Sequence, residues 1–117
     1  MRQAMIVQPL TTRTYDDIYA ARTRIANELA AQQYSTLGTM LNPMEIRVPT
    51  SYQGDPSAYR ELMALMRVLG ILANFDSSDM IYFEAGYDRE RVNRVFKDLA
   101  TTYGIPIFVE GDEDEHT

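Results

Sequence analysis

The densest run of chemically capable groups in this chain is Glu84-Ala85-Gly86-Tyr87-Asp88-Arg89-Glu90-Arg91, with Arg94 close behind. Carboxylates in such a run can accept a ligand hydroxyl or serve as working acids and bases, and arginine forks suit phosphate. Gly86 either lets a ligand approach the backbone or simply makes a turn. Asp88 reads as a helix N-cap or as a hydroxyl acceptor, and Tyr87 as a stacking ring or a cover for the core. Positive side chains at Arg89, Arg91 and Arg94 oppose the dipole of a helix beginning here. Either an anion compensates them, or they pair on the surface with Glu84, Glu90 and Asp98. A second polar run, Gln8-Pro9-Leu10-Thr11, closes the first apolar segment.

Other chemistries lack their residues. The chain has no cysteine, which excludes disulfides and thiolate nucleophiles, and its one histidine, His116, stands alone in an acidic tail. The tail acids lack the ordered ligand positions and central glycine of a calcium loop. Neither GxxxxGK[ST] nor GxGxxG occurs, and no serine has an identifiable basic partner. No metal or cofactor is expected.

The elements that hold these runs are read from periodicity. Met5 to Leu10 is a strand-like apolar run ended at Pro9. Thr14 caps a helix with Asp17 in its first turn and Ile18, Ala21, Ile25 and Leu29 as its stripe, ending near Gln33. Tyr34 to Leu41 is weakly strand-like up to Asn42-Pro43, and Met44 to Gly54 is a long connection able to cover a site. Asp55-Pro56 starts a second helix, with Ala58, Leu62, Leu65, Met66, Leu69 and Leu72 as its predicted buried face and Met63 and Met66 as core filler.

Met80 to Phe83 reads as a central strand. Val92, Val95, Phe96, Leu99 and Tyr103 then recur at helical spacing behind a cap at Asp88. Gly104 stops that helix, and Ile105 to Val109 forms the last strand. Strands alternating with helices predict a three-layer α/β/α sandwich around a parallel sheet of about four strands, flavodoxin- or Rossmann-like. Ligands in such sheets sit outside the carboxyl ends of strands, which singles out the loops Gln8 to Thr14 and Glu84 to Arg89.

At 117 residues the chain fits one domain, residues 1–109, followed by an acidic flexible tail at 110–117 beginning Glu110-Gly111-Asp112-Glu113-Asp114-Glu115. The net charge of -6 disfavours nonspecific nucleic-acid binding, although the body without the tail is nearly neutral. No run reaches the ~20 apolar residues of a membrane span, and the first residues lack the pattern of a secretory signal. A cytoplasmic protein is expected.

The order of these pieces resembles the nucleoside 2-deoxyribosyltransferase-like superfamily, particularly its small phage and bacterial members. The similarity lies in Met5-Ile6-Val7-Gln8-Pro9-Leu10-Thr11 against a GPIT-like opening, in Asn42-Pro43, in the strand Asp79 to Phe83, and in the spacing from Gly86 to Gly104. The resemblance implies a pocket built from Gln8, Pro9, Leu10 and Thr11 with Gly86, Tyr87, Asp88, Arg89, Arg91 and Phe96. It also implies a glutamate nucleophile attacking the sugar anomeric carbon. The family pattern Glu-x-x-x-Ala-x-x-x-Gly falls on Phe96, Ala100 and Gly104, so a ring stands where the nucleophile belongs. Asp98 lies about 200° further round the helix and cannot substitute. Gln8 departs from the usual glycine before proline.

The resemblance and its departures together imply a noncatalytic or catalytically altered relative that binds a nucleoside- or nucleotide-like small molecule, compatible with a phage accessory role. Two alternatives stand beside it. One is an N-glycosidic hydrolase or deoxyribosyltransferase using Asp88 or Glu84. The other is a homo-oligomeric protein-interaction module whose sheet edges need cover.

Overall fold

Four short apolar runs pair side by side and three helical segments cover them. The computed structural model of the chain describes residues 1–111, with strands β1 (Arg2–Val7), β2 (Tyr34–Thr36), β3 (Met80–Phe83) and β4 (Ile107–Val109) and helices α1 (Tyr15–Ala31), α2 (Pro56–Leu72) and α3 (Arg91–Thr102). All pairings are parallel, in the order β2-β1-β3-β4. The result is the α/β/α sandwich that the alternation predicts.

The pleat sorts side chains between the two faces. Ala4, Ile6 and Tyr82 meet Ile25 and Leu29 of α1, whereas Met5, Val7, Ile81 and Phe83 meet Leu65, Val68, Phe96 and Ala100 of α2 and α3. One helix therefore covers one face and two helices cover the other.

Local chemistry fixes most element ends. Thr14 accepts from the Asp17 N-H at 3.1 Å to cap α1, and Asp55 accepts from the Ser57 N-H at 2.9 Å to cap α2. At the end of α3, Gly104 takes φ +73°, the Ile105 N-H donates to Ala100 O and the Gly104 N-H donates to Thr101 O. That pair of bonds is a Schellman stop. β1 ends at Val7 rather than Leu10, because the chain turns away before Pro9, which has no N-H for a ladder. β2 is also shorter than predicted, although the Leu37 N-H still donates to Ala4 O at 2.9 Å.

Three expectations are corrected. Asp88 does not cap α3. Gly86, at φ +89°, opens a 3-10 turn over Tyr87–Arg89, the Tyr87 N-H donates back to Glu84 O, and the helix is delayed so that Glu90 holds the cap position. The stripe on α2 is also displaced: Ala64, Leu65, Val68 and Leu72 face the sheet, while Leu62 and Met66 are 60% and 63% exposed. Apolar residues occupy more than one face of α2, and the face carrying small Ala64 packs inward. Likewise Val95 and Tyr103 of α3 point outward. Finally, Glu110 is not part of a free tail. It accepts from the Tyr82 hydroxyl at 2.5 Å and pairs with Arg24 of α1 at 3.1 Å. The rest of the predicted tail, with His116, lies outside the described residues.

Candidate functional site

β1 lies between β2 and β3, and the helices leaving β1 and β3 go to opposite faces of the sheet. The carboxyl ends of β1 and β3 therefore flank a topological switch point, where open α/β sheets hold their ligands. The loops singled out from the sequence do meet here. A Cβ placed on Gly86 would stand 3.6 Å from Pro9 Cγ, and Gln8 Nε2 donates to Glu84 Oε1 at 3.1 Å.

Polar bonds knit this crevice together. Glu84, buried, accepts from Arg13 Nη1 at 2.7 Å and from Arg13 Nη2 at 3.2 Å. Arg13 Nη1 also donates to Pro9 O at 3.0 Å, and Gln8 Nε2 donates to Ile18 O at 3.0 Å. Glu90 turns from its cap position to accept from the Leu10 N-H at 2.7 Å and the Thr11 hydroxyl at 3.1 Å. Buried Asn93 donates to Gln8 O at 3.2 Å and Tyr87 O at 3.1 Å, tying both loops to α3. Paired in this way, Glu84 and Glu90 hold loops; a nucleophile would need an oxygen free to approach a sugar carbon.

The remaining predicted residues divide. Arg91 leaves the crevice for α2, where its guanidinium grips Glu61 through bonds of 2.9 Å and 2.7 Å. Arg94 donates to Asp88 O at 2.7 Å, and Asp88 and Arg89 are exposed. Tyr87 is turned inward against Phe83, with ring centroids 4.9 Å apart. Phe96 has no exposed surface and packs 6.3 Å from the same Phe83 ring. It belongs to the core.

An open cleft of about 370 Å³ lies alongside, walled by α1 and by the segment that passes through Asn42-Pro43. Leu10 is the one predicted site residue on its lining. Sequence reasoning missed Arg13, Tyr15, Tyr19, Arg22 and Asn42, which also line it. Tyr15, Tyr19 and Arg22 recur at i, i+4 and i+7, and that aromatic-cationic stripe beside the apolar one was the available signal. The two tyrosine rings stack at 6.2 Å and 17°. Arg22 Nη2 donates to Leu37 O at 2.7 Å, while its Nη1 is buried with no acceptor among the described residues. Burial lowers the pKa of this guanidinium. Glu45, also on the lining, pairs with Arg67 at 3.7 Å.

No group of three or more His, Asp or Glu side chains placed to hold a metal occurs among the described residues. No helix among them is long and apolar enough to cross a membrane. The chain matches no family model, no curated protein and no solved structure.

Proposed function

We propose that the chain is a noncatalytic or catalytically altered deoxyribosyltransferase-like protein that binds a nucleotide-derived small ligand in the cleft beside α1. The observation that carries this reading is the lining: stacked Tyr15 and Tyr19, Asn42, and Arg22 with an unsatisfied guanidinium nitrogen. Aromatic faces suit a base, and an arginine with no counter-ion among the described residues suits an anionic group such as phosphate. The volume falls at the small end of ordinary ligand sites. Phenylalanine at position 96, where the resembled enzymes carry their nucleophile, offers no carboxylate for glycosidic chemistry, and its burial in the core takes it out of the ligand-binding set.

The test is calorimetric titration with nucleosides, nucleoside phosphates, cyclic nucleotides and ADP-ribose-like compounds, alongside chromatography for base release. A phosphorylated nucleoside is expected to bind without being cleaved. One charged hydrogen bond contributes about 1.5–3 kcal/mol, so Arg22→Met should weaken binding by roughly tenfold or more. Tyr19→Ala should weaken it as well. Uniform silence across the panel, or affinity indifferent to both substitutions, overturns the reading.

A further inference from the structure

We propose that the outer face of α2 and α3 is a self-association surface, on which a second copy of the chain packs its own α2 and α3 across a two-fold axis. Leu62, Met66 and Leu69 run along α2, and Val95 and Tyr103 along α3, all with 39% or more of their surface exposed. Between the helices lie two apolar depressions of about 420 and 180 Å³. Leu69, Leu99 and Tyr103 line the first, and Leu62, Val92 and Val95 the second.

The area fits a partner of this size. Five exposed side chains leave on the order of 500 Å² of apolar surface, within the roughly 300–600 Å² of the largest patch on a typical monomer and close to the apolar share of the roughly 800 Å² that each side of a standard interface buries. The face also offers both projections and recesses, since Met66 and Tyr103 stand out beside the two depressions. Such a surface can be complementary to itself, as a two-fold contact requires. The charges on this face already include both signs, since Arg91 pairs with Glu61 at the smaller depression and Arg67 with Glu45, so identical faces need not meet as like charge on like charge.

Gly70 supplies a separate observation. It lies in the last turn of α2, one turn beyond Met66, on exposed surface. A Cβ there would meet nothing within 4 Å, so no packing inside the chain requires glycine. Glycine in a helix is less favourable than alanine by about 0.5–1 kcal/mol, and close approach of a partner helix accounts for its use.

Sedimentation equilibrium of the full chain up to about 100 µM tests the proposal, and a dimer is expected. Leu62→Glu and Met66→Glu alter residues exposed in the single chain, so circular dichroism, and urea midpoints taken at concentrations too low for the dimer, should be kept while dimer dissociation rises by about 100-fold. Gly70→Gln should act in the same direction, and Ala20→Glu on α1 should not. A wild-type monomer throughout the range overturns the proposal, even if the face then captures an unrelated helical peptide. So does a dimer that ignores all three substitutions.

Discussion

Glu110 joins three elements through one carboxylate: the hydroxyl of Tyr82 in β3, the N-H of Ala85 and the guanidinium of Arg24 in α1. Burial by itself would raise the pKa of this acid, but the three donors outweigh it and hold the group below the usual carboxylate value. The same environment raises the Tyr82 phenol, first by burial and then by hydrogen bonding to Glu110 and by its charge. Because the folded pKa of Glu110 is depressed, its contribution is complete above the ordinary carboxylate pKa of about 4 and disappears as pH falls through the folded value. The difference in urea midpoint between wild type and Glu110→Gln should therefore be largest near neutrality and shrink below about pH 4. Phe96 permits a sharper test. Placing a carboxylate at this position with Phe96→Glu would put an acid in a site lined by Phe83 and other apolar groups. A stability loss above about 4 kcal/mol in urea unfolding is expected, with no gain of base release, whereas Phe96→Leu should cost far less.

The β3-to-α3 connection shows what an element boundary takes from distant residues. Gly86 permits the left-handed turn, Tyr87 is pulled into the core, and the carboxylate at the cap position serves Leu10 and Thr11 instead of its own helix. Asn93, in the first turn of α3, completes the join. Asn93→Ala should leave the Gln8 carbonyl without its donor, while Tyr87 O keeps the Glu90 N-H, and should cost about 1–3 kcal/mol in urea unfolding. Faster amide exchange confined to 8–13 and 84–90 should accompany that loss. Thr14, Asp55 and Gly104 were legible from sequence because a cap acts on backbone groups within a few positions. The 3-10 turn was not, since an aspartate at Asp88 satisfies the same local rule whether or not Tyr87 is drawn inward. Nor could periodicity choose between the apolar faces of α2, where Leu62 and Val68 both fit a helical repeat and only the sheet decides which packs.

At the scale of the molecule, alternation of strand and helix was enough to predict the sandwich and the end of the sheet where its loops converge. The cleft beside α1 was less legible. Its lining combines one face of a helix with a connection beyond the next strand, and only the β2-β1 pairing brings them together. The same distance in sequence explains why Arg22 reads as a solvated helix residue until Leu37 is seen accepting its bond.

The strand order bears on how the chain acquires its shape. β1 occupies an inner position, yet its partner β3 arrives late: the Gln3 N-H that reaches Asp79 does so across 76 positions. Closing so long a loop must precede the reward of the pairing, which slows folding relative to a helical bundle of the same size. Until β3 emerges, the opening strand is left with an apolar ladder edge and only the three-residue β2 beside it. A nascent chain stalled before Met80 is therefore the state most exposed to aggregation.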